Sequence, residues 1–134
     1  MKVMITGGAG FIGANTAKRF MDRGHQVLVF DNLSRKGCMA NLDWLRSAGT
    51  FDLVAGDVRD VRLLQETLAR QGPFDAVVHL AAQVAVTQSV SAPREDFEIN
   101  ALGTFNVLEA VRQCAQPPAI LYASTNKVYG GLDD

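Results

Sequence analysis

Short apolar runs alternate with stretches of helical spacing along the whole chain. Lys2–Thr6 is β-branched and apolar, the pattern of a strand buried on both faces. Glycines at 7, 8, 10 and 13 follow it at once. Helical spacing then begins, with Ile12, Thr16 and Phe20 on one side and Ala17 and Met21 beside them. Gly24 stands where a C′ residue ends a helix, and His25–Phe30 reads as a second strand closing at Asp31. A polar turn, Asn32–Gly37, leads into a short amphipathic stretch holding Leu42, Trp44 and Leu45. Phe51–Ala55 reads as a third strand, and Asp60 as the N-cap of a helix whose apolar face includes Val61, Leu64 and Leu68. Gly72 and Pro73 stop that helix. Asp75–Leu80 is the fourth strand, running into Ala81, Ala82 and Gln83. Pro93 opens a long helical pattern to about Ala115. Pro117 and Pro118 break it before Ala119–Ala123, the fifth strand, with Ser124 and Thr125 at its carboxyl end.

Strands separated by helices imply right-handed crossovers and a doubly wound α/β fold. The expected parallel order is 3-2-1-4-5, reversing between the first and fourth strands. The glycine loop, Ala81–Gln83 and Ser124–Thr125 then meet in one crevice at carboxyl strand ends, where this architecture binds ligands.

That placement gives the glycines a purpose. Strand, glycine turn and helix form the context of a phosphate-binding loop, in the register Gly8-x-Gly10-x-x-Gly13 or Gly7-x-x-Gly10-x-x-Gly13. One glycine allows the tight turn, one lets the backbone approach a diphosphate, and one lets helix and strand pack closely. The helix start presents free N–H groups and a partial positive charge to the anion. Asp31, about 20 residues after the glycines, is where a dinucleotide site holds the adenosine ribose hydroxyls; the alternative is an Asp capping a turn with Asn32. Arg35 and Lys36 suit a 2′-phosphate, but Asp31 repels one and accepts from a free 2′-hydroxyl, which favours NAD over NADP. Asp57 and Val58 stand where an adenine ring is bordered, with a simple turn Asp as the alternative. His79, inside an apolar strand, reads as a satisfied core histidine rather than a catalytic one. Asn100 shares a stripe with Thr104, Val107 and Val111, so its amide needs a partner, either neighbouring backbone or a group of the site. Gly103 within the same helix suggests close approach by another element.

Composition removes other classes. At 134 residues the chain is one domain with room for a core. A net charge of -1 gives no electrostatic case for nucleic acid or an anionic membrane. No apolar run approaches a membrane span, and the first residues read as a strand rather than a signal peptide. Cys38 and Cys114 fit no ligand spacing and read as two reduced thiols of a cytoplasmic protein.

Taken together, Thr6–Gly13, Asp31–Leu33, Gly56–Val58, His79–Ala82, Asn100–Thr104 and Ser124–Gly130 resemble the extended short-chain dehydrogenase/reductases. These are the NAD-dependent sugar-nucleotide epimerases and dehydratases. The pieces Phe30–Gly37, Asp96–Asn100, Leu108–Gln113 and Ser124–Gly130 narrow the likeness to one epimerase branch. The resemblance implies a Rossmann-like sheet, a tightly held NAD, and a nucleotide-sugar substrate oxidised and reduced again at one ring carbon. It implies cofactor contacts at Gly7, Gly10, Phe11, Ile12, Gly13, Asp31, Asn32, Ser34, Arg35, Asp57, Val58, Leu80, Ala81, Ala82, Gln83, Asn100 and Ser124, and a catalytic hydroxyl at Thr125. Such a hydroxyl bonds the sugar oxygen as charge develops there. A 4-epimerase, a 4,6-dehydratase and a decarboxylase share these motifs, and a non-catalytic NAD-binding module is the reading of another class.

One departure is large. The family's base is the tyrosine of a Tyr-x-x-x-Lys pair, its pKa lowered by the lysine and the cofactor's charge. Here Tyr122 and Tyr129 are followed four residues later by Asn126 and Asp133. Tyr129 belongs to the strand-end turn and is no substitute base. The expectation is an N-terminal NAD-binding portion, residues 1–134, ending after the fifth strand and inactive alone. An unpaired fifth-strand edge, and self-association into a homo-oligomer through it, are expected too.

Overall fold

A computed structural model describes residues 1–124, which form five strands and six α-helices. The order is β1 (Lys2–Thr6), α1 (Phe11–Met21), β2 (Gln26–Asp31), α2 (Cys38–Ala48), β3 (Asp52–Ala55), α3 (Val61–Gln71), β4 (Ala76–His79), α4 (Val86–Ser91), α5 (Pro93–Phe97), α6 (Gly103–Arg112) and β5 (Ala119–Tyr122). All neighbouring strands pair in parallel, in the order β3-β2-β1-β4-β5. The expected doubly wound order is thus present, and it reverses beside β1.

Alternation along the central strands builds two cores. Val3 and Ile5 of β1 and Val27 and Val29 of β2 face α1 and α2, packing on Ala14, Ala17, Leu42 and Leu45. Met4 and the β2 residues Leu28 and Phe30 face the other way, against Leu64, Leu68, Val107 and Val111 of α3 and α6. Both faces of the sheet are covered, which is why these strands read as unbroken apolar runs. β5 is an edge strand among the described residues, and its Leu121 and Tyr122 are exposed.

Several helical details differ from the pattern read in sequence. α1 turns Gly13, Ala14 and Ala17 inward, whereas Ile12 is 65% exposed. Small residues let the helix start sit close to the sheet, while Phe20 and Met21 pack against the same core at its far end as their spacing implied. Its far end closes as expected around Gly24: the Gly24 N–H donates to Met21 O and the His25 N–H to Phe20 O, the paired bonds of a Schellman motif. Trp44 and Val61 are exposed rather than in the core. α4 had no signal, because none of its residues is buried. The long helix after Pro93 is continuous but not uniform: α5 and α6 are joined through a π-helical turn, Glu98–Leu102. Gly103 lies against Val58, whose Cγ2 would be 2.6 Å from a Cβ built there, so the expected close approach is made by the β3–α3 turn.

Candidate functional site: a crevice at the carboxyl strand ends

The turn after β1 is shaped by steric exclusion. Gly7 has φ +68°, and a Cβ on it would lie 2.7 Å from the Ala81 backbone nitrogen. The loop can therefore rest directly on the chain leaving β4. At Gly13 a Cβ would collide with the Gly7 carbonyl and Gly8, so only glycine allows the first turn of α1 to fold over the loop. The loop is also tied to itself, Gly10 N–H donating to Gly7 O at 3.0 Å.

α1 begins without a cap. Gly10 occupies the N-cap position and supplies no side-chain acceptor, and the first turn holds no acidic residue. Ala14 N–H closes the first helical bond to Gly10 O. Among the described residues no acceptor receives the N–H groups of Phe11, Ile12 and Gly13. By contrast, α3 is capped as expected by Asp60, which accepts from Leu63 N–H at 3.0 Å. An uncapped helix start with free donors is suited to an anion.

Beside that start lies Asp31, the last residue of β2 and 8% exposed. Its Oδ2 accepts from Ala9 N–H at 3.0 Å and its Oδ1 from Leu33 N–H at 2.8 Å. The Cys38 thiol also faces Oδ1, at 4.0 Å. A carboxylate has about four acceptor positions, so these contacts fix Asp31 and leave Oδ2 able to accept from a ligand hydroxyl.

Asn32, Ser34 and Arg35 follow on the exposed rim. Asn32 accepts from the Ser34 N–H and hydroxyl and donates 2.9 Å to Asp57. Asp57, beyond β3, also receives the Arg59 N–H and both arms of its guanidinium. Those Arg59 bonds hold its carboxyl well below the usual carboxylate range. Arg35 reaches across the crevice to Gln83 Oε1 at 3.1 Å. Val58 is buried beneath, where its carbonyl accepts from Asn106.

The fourth strand end is held by a buried chain of polar groups. Thr104 Oγ1 donates to Asn100 O at 2.7 Å, so it accepts at 3.0 Å from His79 Nε2. The other ring nitrogen, Nδ1, is then an acceptor and takes the Thr6 hydroxyl at 2.6 Å. Thr6 Oγ1 in turn receives Leu80 and Ala81 N–H, each at 3.3 Å. His79 is 2% exposed, and burial lowers its pKa to about 4, so it is a neutral structural group as its setting in sequence implied. Asn100 completes the frame: its Oδ1 accepts from Gln83 N–H at 2.8 Å and its Nδ2 donates to Gln83 O at 3.0 Å and to Asp96. The Asn100 amide is therefore partnered by the Asp96 carboxylate one turn back and by the Gln83 backbone, which belongs to the crevice.

Gly7, Gly10, Phe11, Ile12 and Gly13 thus converge with Asp31, Asn32, Ser34, Arg35, Asp57, Val58, Leu80, Ala81, Ala82, Gln83 and Asn100 at the carboxyl ends of β1 to β4. Ser124 stands beyond β5, one strand further along the same end. Thr125 and Tyr129 lie outside the described residues. Reading the sequence missed Arg59 and the partners of His79. For Arg59 the Asp57–Arg59 spacing was a usable signal, because an Asp turn commonly bonds two residues on.

A family model described as GDP-mannose 4,6 dehydratase matches residues 4–134. The chain belongs to that family. Among members of the GDP-mannose 4,6 dehydratase family and their relatives, CDP-paratose 2-epimerase of Salmonella typhi is 50% identical over 133 residues, 99% of this chain and 39% of its own length. That enzyme is the epimerase branch to which the narrower likeness pointed. UDP-glucose 4-epimerase of Yersinia pestis is 38% identical, covering 97% of this chain and 38% of its own. The crystal structure of UDP-glucose 4-epimerase from Bifidobacterium longum, solved with NAD+ and UDP, superposes with a TM-score of 0.88 at 30% identity, over 97% of this chain and 38% of that one. The chain therefore spans about two fifths of the length of these family relatives. None of the described helices is long and apolar enough to cross a membrane.

Proposed function

We propose that residues 1–134 are the NAD-binding portion of a sugar-nucleotide epimerase of the CDP-paratose 2-epimerase type. The carrying observation is the uncapped start of α1, whose N–H groups at Phe11, Ile12 and Gly13 have no acceptor among the described residues, beside a buried Asp31 with acceptor capacity to spare. Those donors take the diphosphate, and the Asp31 carboxylate takes the adenosine ribose. A 2′-phosphate would face that buried carboxylate, so NAD is preferred to NADP. Asn32, Ser34, Arg35, Asp57 and Val58 border the adenosine half. Leu80, Ala81, Ala82, Gln83, Asn100 and Ser124 border the nicotinamide half. NAD+, when bound, supplies a hydride acceptor and donor for a sugar ring carbon.

The parent enzyme's substrate is a nucleotide sugar, and Thr125 supplies the hydroxyl that holds the reacting sugar oxygen. The chain lacks a Tyr-x-x-x-Lys pair, so it binds cofactor without completing the reaction. The non-catalytic reading draws on that same lack. Cys38 and Cys114 are free thiols, which suits a cytoplasmic setting. The exposed β5 edge favours self-association.

The test is a calorimetric titration of NAD+ into the chain and into Asp31→Ala. Saturable binding by the first, weakened at least tenfold in the second, is expected. Equal, negligible heats from both would leave the proposal without support. Incubation of the purified chain with NAD+ and a CDP-sugar is expected to yield no epimer, and turnover would refute the claim of inactivity.

A further inference from the structure

Asn41 belongs to none of the motifs above, yet its side chain reaches the glycine loop. It lies in the first turns of α2, the helix packed beside α1. Its Nδ2 donates 2.8 Å to the carbonyl oxygen of Ala9. Ala9 is fully buried, and its own N–H is taken by Asp31 Oδ2. The next N–H, of Gly10, is taken by Gly7 O. The Ala9–Gly10 peptide is therefore gripped at both ends, its carbonyl by Asn41 and its N–H by Gly7.

This grip decides which donors remain for a ligand. The N–H groups of Ala9 and Gly10 are turned into the protein, and those of Phe11, Ile12 and Gly13 are left without acceptors among the described residues. A peptide plane held at one end only can turn about its flanking bonds. The carbonyl of Ala9 would then be free to swing toward those open N–H groups and compete with an anion for them.

We propose that Asn41 is a positioning residue for diphosphate recognition, locking the Ala9–Gly10 peptide so that the donors at the start of α1 stay free and aimed at the ligand. The assignment rests on the dinucleotide reading above. It gives α2 a role in the site that its sequence does not advertise, and it makes Asn41 and Asp31 joint holders of one residue, Ala9.

The test uses the 134-residue chain, Asn41→Ala and Asn41→Asp, with NAD+ as the titrant and amide hydrogen exchange as the second readout. Loss of one neutral hydrogen bond predicts a Kd for NAD+ raised about tenfold in Asn41→Ala. Asn41→Asp keeps the shape but sets a carboxylate against a carbonyl, and is expected to lose at least as much. Exchange at Ala9 and Gly10 is expected to quicken while Ile5 and Val29 in the sheet keep their protection. NAD+ affinity within twofold of the parent in both variants overturns the assignment. So does exchange that quickens equally in the strands, which would make Asn41 a support of the whole fold. Failure of the unaltered chain to bind NAD+ overturns the underlying reading, and the assignment with it.

Discussion

Acidification to pH 5 should destabilise this fold chiefly through His79, since the lowered carboxyl of Asp57 gives way only at lower pH. The ring is buried between Thr6 and Thr104, with Nδ1 accepting and Nε2 donating. A proton added to Nδ1 meets the Thr6 hydroxyl, which then has no acceptor to donate to and must turn away. Burial lowers the pKa to about 4 from 6.5. The unfolded chain consequently takes up a proton near pH 6.5 that the folded chain refuses until about pH 4. Stability contributed by neutral His79 is complete above pH 6.5 and is lost as pH falls toward 4. The shift corresponds to about 2 kcal/mol lost between pH 7.5 and 5, and about 3 kcal/mol by pH 4. Urea unfolding across that range, for the parent and for His79→Gln, isolates the contribution from that of the carboxylates. The parent should lose about 2 kcal/mol more than the variant by pH 5. Parallel pH profiles for the two proteins would refute the reasoning, as would imidazole resonances of His79 titrating near pH 6.5.

Two substitutions test the frame of the crevice. Gly13→Ala forces a Cβ into the Gly7 carbonyl, so unfolding free energy should fall by about 1–3 kcal/mol and NAD+ binding should be lost with it; unchanged urea midpoint and affinity would contradict that packing. Asn100→Ala removes both bonds to the Gln83 backbone and the one to Asp96, and should cost about 1–3 kcal/mol while speeding amide exchange at Gln83; parental exchange there would show that the loop needs no such clamp.

The residues that specify the topology are local, and they could be read in order. Apolar runs marked β1 to β5, the first three closed by Gly7, Asp31 and Gly56, and their alternation with helices implied the parallel sheet that the structure contains. The crevice was legible for the same reason, since every strand of such a sheet delivers its carboxyl end to one side. What could not be read depends on partners distant in sequence. His79 was placed in the core from its apolar neighbours, but Thr6 and Thr104 lie 73 and 25 residues away, and nothing in a linear pattern joins them. Asn41 meets Ala9 across 32 residues. The inward face of α1 was legible in Ala17, Phe20 and Met21 but not in Gly13 and Ala14, which close approach to the sheet selects and which carry little apolar signal. Phe11 and Ile12 are exposed at the start of α1, so their apolar side chains gave no true core signal. α4 buries none of its side chains and so has no amphipathic signal at all.

Amide chemical-shift mapping with NAD+ addresses the proposed berth most directly. Phe11, Ile12, Gly13 and the residues flanking Asp31 are expected to shift first and furthest, with saturation shared by Ala81–Gln83. Saturable shifts confined elsewhere, for instance at the apolar groove lined by Leu68, Phe74, Ala110 and Cys114 at the opposite end of the sheet, would contradict the account.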